Sequence, residues 1–397
     1  MSSALYNFGA LHITRFLMKI FWIVPIDPKR VFFSAYEGKQ YSCNPKAIYE
    51  GMLNNRAFED YSIVWEINNP DSIKVKEGNL KVQLVKHNSL KYFYEIFHSK
   101  YIVTNSGLSA RIPLRKSQVN INTWHGGGAF KRVGYAMNEK FRDDSQYLKV
   151  SMDQTSYFVS SSRIFSEVMK ESLRIDPNKF FPSGMPRNDI FFDPKRMNEV
   201  NVRVRKELGI PENNYLVLYA PTYKGSVGKD TTNSIPFNVS RIINVIESKF
   251  DKRVSFCVRT HYFNHTDIEV ENVLNVTAYP DMQELLVAAD MLITDYSSTI
   301  WDYALSKKPC ILYCPDISQY EADRGFYTNP REWAGMLCTN EDELNRSIID
   351  FYNSAYIKRV DDYLNRCGNY DYGNATSKIL ELLMPSRKIG NFDNERK

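Results

Sequence analysis

Met291-Leu-Ile-Thr-Asp-Tyr-Ser-Ser-Thr-Ile-Trp-Asp-Tyr303 changes its periodicity twice. Met291 to Thr294 is a short apolar, β-branched run and predicts a buried strand. Asp295, Tyr296, Ser297 and Ser298 interrupt it with a polar turn. Apolar residues then return at helical spacing (Ile300, Trp301, Ala304, Leu305) until Lys307-Lys308-Pro309 ends the helix. Strand, turn and helix form the unit of a doubly wound parallel sheet, whose ligands sit at the carboxyl edge of the strands. A serine pair there can cap the helix while its hydroxyls and the free backbone N–H groups face an anion. Taken alone, the stretch reads as an ordinary helix cap, because Ser and Thr cap helices throughout proteins.

The same unit recurs outward in both directions. Toward the N-terminus, strands are predicted at Val31–Ala35, Ser62–Ile67, Val82–Val85, Tyr101–Thr104, Val119–Trp124, Tyr157–Ser160 and Phe180–Phe181. Helices are predicted at Pro45–Leu53 and Ser89–His98. A charged helix over Asp193–Gly209 pauses the pattern, which restarts with strands at Tyr215–Tyr219, Val254–Val258, Val273–Thr277 and Cys310–Tyr313. Helices are predicted at Val239–Phe250, Met282–Ala289, Glu341–Tyr352 and Ala375–Met384. Alternation of this kind implies parallel sheets covered on both faces. The expected architecture is α/β, with two facing Rossmann-type doubly wound domains and a cleft between them. Four parts are expected: an amphipathic segment over 1–28, an N-terminal domain over 29–195, a C-terminal domain over 196–385 and a polar tail over 386–397.

A chain of 397 residues suits two domains, and 43% hydrophobic with 24% charged residues is a globular composition. The net charge of +5 suits an anionic ligand or acidic membrane surface and is too small to argue for nucleic acid. Six cysteines without a Cys-x-x-Cys pair indicate neither a zinc cluster nor a redox dithiol, and fit a reducing cytoplasm. Over Ala4–Ile26, Arg15 and Lys19 interrupt an apolar run that ends at Pro25, too short to span a bilayer. This segment reads either as a helix lying in a membrane interface or as one packed on the protein's own body.

Four predicted strands end in residues that can carry chemistry: His125-Gly126-Gly127-Gly128, Thr222-Tyr223-Lys224, Arg259-Thr260-His261 and the Ser297-Ser298 turn. Together they supply a histidine beside an open glycine loop, cationic strand ends and a serine pair, an inventory suited to a phosphorylated ligand. An imidazole of ordinary pKa, about 6.5, can act as a general base near neutral pH. Arg259 and His261 alternate on one strand end and share a face. His261 and His265 have metal-like spacing, but no third ligand completes a zinc pattern. Asp-x-Asp, Walker A, Gly-x-Gly-x-x-Gly and Gly-x-Ser-x-Gly motifs are absent from the sequence.

An ordered series of motifs carries a more specific signal. Asn122-Thr-Trp-His-Gly126 with Lys131 and Gly134 comes first. Gly184-x-Pro-Arg187-Asn188-Asp189, Ala220-Pro-Thr222 and Arg259-x-His261 follow. The series closes with Leu292-Ile-Thr-Asp295-Tyr-Ser-Ser298, Asp302-Tyr303, Pro315-Asp316, Tyr320 and Arg324-Gly325. This series resembles the CDP-glycerol glycerophosphotransferase family, which builds teichoic acids and related capsular polymers, over residues 30 to 380. The resemblance implies a GT-B fold, peripheral association with the cytoplasmic face of the cell membrane and no metal requirement. It implies His125 as the base for an acceptor hydroxyl. Arg259 and His261 would hold the donor pyrophosphate, with His261 assisting departure of CMP. Ser297 and Ser298 would bind a donor phosphate near Asp295 and Asp302, and Thr222 would line the pocket. Gly126, Gly127, Lys131, Arg187, Asn188, Asp189 and Lys224 complete the implied binding set. The family's His-Gly-Thr-Pro-Leu-Lys is His125-Gly-Gly-Gly-Ala-Phe-Lys131 here, and Tyr262 replaces the proline of Arg-x-His-Pro. The first departure loosens the acceptor loop.

The expected reaction moves glycerol phosphate or ribitol phosphate from a CDP-linked donor, with no further cofactor, to a lipid-linked acceptor. The rivals are a GT-B glycosyltransferase using a nucleotide sugar, which shares the fold, and a catalytically silent membrane scaffold. The donor's polyol, the acceptor and any homo-oligomer are not readable from the sequence.

Overall fold

A computed structural model describes residues 2–138, 146–222, 235–260 and 273–384. Two parallel sheets organise it. The first has seven strands in the order β3-β2-β1-β4-β5-β6-β7 and the second six, β10-β9-β8-β11-β12-β13. The first sheet comprises β1 (Asp27–Ser34), β2 (Ser62–Glu66), β3 (Lys81–Val85), β4 (Ser99–Thr104), β5 (Val119–Asn122), β6 (Tyr157–Val159) and β7 (Phe180–Phe181). The second comprises β8 (Tyr215–Tyr219), β9 (Val254–Val258), β10 (Val273–Asn275), β11 (Met291–Thr294), β12 (Cys310–Tyr313) and β13 (Met336–Cys338). Both sheets reverse their winding beside their first strand, at β1/β4 and β8/β11, and ligands of doubly wound sheets bind at such switch points.

Side-chain alternation explains why these short runs are buried on both faces. In β8, Leu216 and Leu218 join the apolar cluster on one face, while Tyr215, Val217 and Tyr219 join the cluster on the other. In β1, Val31 and Phe33 face one core and Phe32 the opposite one. The 291–303 stretch lies at the centre of the second sheet. β11 pairs with β8 and β12, and its following helix, Thr299–Ala304, buries Ile300, Trp301, Tyr303 and Ala304.

Several boundaries differ from the sequence reading. β5 ends at Asn122 rather than Trp124, because Trp124 takes a left-handed φ of 52° and turns the chain out of the sheet. β13 and the helices Gln146–Asp153, Arg163–Leu173, Ile317–Asp323 and Asn353–Cys367 were not anticipated. The last helix, Ala375–Leu382, packs with Ile379, Leu380 and Leu383 against the first sheet's core, beside Ile48 and Met52.

The N-terminal segment packs on the protein's own body along one face. The helix Ser2–Met18 continues as a 3₁₀ turn over Lys19–Ile23. Leu11 is buried, Phe21 stacks on Phe97 at 5.6 Å, and Trp22 Nε1 donates to the Pro113 carbonyl at 2.8 Å. The other face leaves Ile13, Phe16, Leu17, Ile20 and Ile23 more than 60% exposed. No helix among the described residues is long and apolar enough to cross a membrane.

Several sets of contacts join the two sheets' domains. Lys131 and Phe326 form an antiparallel bridge, extended by Arg132 N–H to the Gly325 carbonyl at 3.1 Å and Tyr327 N–H to that of Phe130 at 2.9 Å. Lys46 reaches Asp281 at 2.6 Å and Glu284 at 3.0 Å. Arg187 meets Asp302 in the buried centre.

Candidate active site

Each switch point is closed by a side chain that ties its two loops together. In the first domain, Asn105 follows β4 and accepts the Tyr36 N–H through Oδ1 at 2.8 Å. In the second, Asp295 follows β11 and accepts both the N–H and the hydroxyl of Thr222 at 2.9 Å, and the Tyr296 N–H at 2.6 Å. Asp295 and Thr222 therefore hold the loop geometry of the second domain's edge.

His125 lies at the first domain's edge, beyond β5. Its Nδ1 is 2.9 Å from the Asn105 carbonyl oxygen. A carbonyl can only accept, so Nδ1 carries the proton and Nε2 is the bare nitrogen of the neutral ring. Trp124 stacks on the imidazole at 4.8 Å, and the Tyr36 ring lies 5.9 Å away on a tilt. Protein surrounds the imidazole, yet solvent reaches it. Desolvation lowers its pKa; the Asn105 bond opposes this, and the charges of Arg187 and Lys131 reinforce it. The shift favours the neutral ring.

Gly126 and Gly127 bring this loop against the second domain. A Cβ on Gly126 would sit 3.2 Å from Ser298 Cβ, and one on Gly127 would sit 2.3 Å from Trp301 Cδ1. The residue after His125 therefore touches the serine that opens the 299–304 helix. Ser297 Oγ accepts from the N–H of Thr299 at 3.3 Å and from its hydroxyl at 3.0 Å. Ser298 makes no capping bond. The serine pair divides the work: one orders the turn and the other is left facing the cleft loop.

Two cations are held in desolvated surroundings. The Lys131 ammonium is enclosed, and desolvation lowers its pKa, with Asp295 opposing and Arg324 adding to the effect. Arg259, beyond β9, has a buried Nη1 with no hydrogen-bond partner among the described residues. Desolvation disfavours its charge, which Asp281 and Tyr36 support from a distance. A buried guanidinium N–H without a partner calls for an anionic ligand.

The Gly184–Asp189 motif has a different position. Arg187 Nε and Nη2 grip the Asp302 carboxylate at 3.2 and 2.8 Å, and Nη1 lies 3.1 Å from Cys43 Sγ. Burial opposes the Arg187 cation, but Asp302 outweighs it and raises the pKa. Burial likewise pushes the Asp302 carboxyl up while Arg187 pulls it down; the two-pronged contact is that of an ionised pair. Asn188 accepts from Gln283 Nε2 at 2.7 Å, and Asp189 accepts the N–H groups of Ala375 and Thr376 at 3.0 and 2.7 Å. Arg187, Asn188 and Asp302 are thus occupied by partners across the domain junction, while Asp189 holds the start of the last helix. His261 and Lys224 lie outside the described residues. No group of three or more His, Cys, Asp or Glu that could hold a metal occurs among the described residues. Tyr36, Asn44 and Asn105 were missed as site residues; for Asn105 the signal was its place at a strand's carboxyl end.

Two parallel-sheet domains, with a histidine loop of one packed on the serine turn of the other, make an α/β protein of GT-B-like fold. The model of the family CDP-Glycerol:Poly(glycerophosphate) glycerophosphotransferase matches residues 16–385, and the chain belongs to that family. It is 28% identical over 391 residues to a teichoic acid poly(glycerol phosphate) polymerase of Bacillus spizizenii, covering 96% of this chain and 98% of the relative. A teichoic acid glycerol-phosphate transferase of Staphylococcus aureus is 25% identical, over 89% of this chain and 92% of that one. The chain spans about half the length of other polymerase relatives, 51% in Staphylococcus epidermidis and 45% in Bacillus subtilis. The solved structure of the wall teichoic acid polymerase TagF superposes with a TM-score of 0.79 at 26% identity, over 96% of this chain and 95% of that chain. A histidine-to-asparagine variant of TagF soaked with CDPG gives 0.81 at 25% identity, with the same coverage.

Proposed function

We propose that the cleft transfers a polyol phosphate from a CDP-linked donor to a hydroxyl of a lipid-linked acceptor. The observation that carries this reading is the close approach of the His125 loop, at Gly126, to Ser298 of the other domain. His125 Nε2 takes the proton of the acceptor hydroxyl while that oxygen bonds to the donor's β-phosphorus. The bond from this phosphorus to the bridging oxygen breaks, and CMP leaves with the electron pair. Arg259 and Lys131 stabilise the charge that develops on the phosphoryl oxygens, and Ser298 offers its hydroxyl to the same group. His261 is assigned to the leaving phosphate on the family motif. Arg187 and Asp302 are assigned to joining the two halves of the site rather than to touching substrate.

The apolar face of residues 13–23, with Arg15 and Lys19 beside it, suits the surface of an anionic membrane, where a lipid-linked acceptor resides. Incubation with CDP-glycerol, CDP-ribitol and UDP-sugars, followed by assay of released nucleotide, tests the reaction. CMP release is expected from a CDP-polyol and is lost in His125→Ala. UDP release without CMP would overturn the reading in favour of a glycosyltransferase.

A further inference from the structure

The loop that carries His125 ought to be slack. Three glycines follow the histidine, and Trp124 before it holds a φ of 52°, which bulky residues adopt only under constraint. Buried asparagines supply that constraint. Asn122 Oδ1, at the end of β5, accepts the Trp124 N–H at 3.0 Å. Asn44, in the first turn of the helix Cys43–Leu53, donates from Nδ2 to the carbonyls of Thr123 at 3.1 Å and Trp124 at 3.0 Å. Its Oδ1 accepts the Arg187 N–H at 3.2 Å. Asn44 and Asn122 are both fully buried.

Asn44 thus connects two things that must stay in register. On one side it fixes the two carbonyls immediately before the base. On the other it fixes the backbone of Arg187, whose side chain grips Asp302 in the helix that Ser298 opens. We propose that Asn44 is a positioning residue for the acceptor-side base, setting His125 against the donor-side edge through its amide N–H groups. This rests on the reading of His125 as the base. Asn122 acts through its oxygen alone, since its Nδ2 has no partner among the described residues.

The two asparagines therefore respond oppositely to one substitution. Asn44→Asp keeps the oxygen that accepts from Arg187 but has no N–H for the two carbonyls. Asn122→Asp keeps the one bond that matters. With CDP-glycerol as donor, Asn44→Asp is expected to lower kcat about 100-fold, the cost of a misplacement near 1 Å, with donor KM within about twofold of wild type. Asn122→Asp is expected to keep kcat within about threefold, even where burial of its carboxylate lowers Tm. Asn44→Ser, neutral and too short to reach both carbonyls, repeats the kcat loss if Asn44→Asp does not fold. Wild-type kcat in folded Asn44→Asp or Asn44→Ser overturns the proposal, as does a parallel change in kcat and donor KM. If His125→Ala is itself active, the reading of the base has failed; if it is dead while both Asn44 variants are active, only the role of Asn44 has failed.

Discussion

Replacing Asp302 by Asn leaves the Arg187 guanidinium buried without its counter-ion, and its cost follows from the geometry. The pair is bidentate, with contacts of 2.8 to 3.2 Å, and both side chains are under 8% exposed. Breaking a buried pair from one side costs about 3–5 kcal/mol, because the surviving charge keeps its desolvation penalty and loses its compensation. For domains of this size that corresponds to a drop of roughly 6–20 °C in Tm. Removing both charges, as in Arg187→Met with Asp302→Leu, is expected to recover most of the loss, since apolar replacements of similar volume dispense with the penalty. Scanning calorimetry of wild type, the two singles and the double gives the coupling directly. The single variants' loss should persist in 1 M salt, because a sealed pair is poorly screened. A loss below about 1 kcal/mol for Asp302→Asn, the range of exposed pairs, would refute the claim that this contact joins the domains through a desolvated charge pair.

Three further outcomes follow from other parts of the molecule. The acid limb of kcat/KM should lie below pH 6.5, because the folded-state pKa of His125 is lowered and the base is lost only when the ring protonates; Lys131→Met removes a nearby cation and should move that limb to higher pH, and a limb that stays put excludes His125 as the titrating base. Gly127→Ala places a Cβ 2.3 Å from Trp301 and should destabilise by about 1–3 kcal/mol, whereas Gly9→Ala, with open space around it, should not; equal thermal melts for the two would contradict the close approach of the domains. Ile20→Asp should abolish flotation with anionic vesicles without changing Tm, since Ile20 is 75% exposed, while Leu11→Asp should lower Tm; unchanged flotation of Ile20→Asp removes the membrane role of this face.

Strands of buried parallel sheets are legible because each is a compact apolar run, and Tyr215–Tyr219 or Met291–Thr294 needs no partner to be recognised. The helix Asn353–Cys367 was not legible in the same way: tyrosines and a cysteine carry much of its buried stripe, at Tyr356, Tyr363 and Cys367, instead of aliphatic residues. β13 has three residues at a sheet edge, too few to show a period. The candidate site divides along the same line. Residues with a distinctive local setting, such as His125 before its glycines or Arg259 at a strand end, stand out as candidates in the sequence. Pairings with a distant partner were not legible: Arg187 meets Asp302 across 115 positions, and Asp295 accepts from Thr222 across 73.

The serine pair shows what geometry adds to such a list. In the sequence, Ser297 and Ser298 are interchangeable, and either could cap the helix while the other faces an anion. The fold separates them, since Ser297 is engaged with Thr299 while Ser298 makes no capping bond and touches Gly126. Exchanging the two residues' roles is therefore not neutral. Ser297→Ala removes an acceptor for Thr299 and should loosen the turn, raising donor KM and lowering Tm together. Ser298→Ala removes no hydrogen bond of the described protein, so a fall in activity at constant Tm would come from a lost contact to substrate.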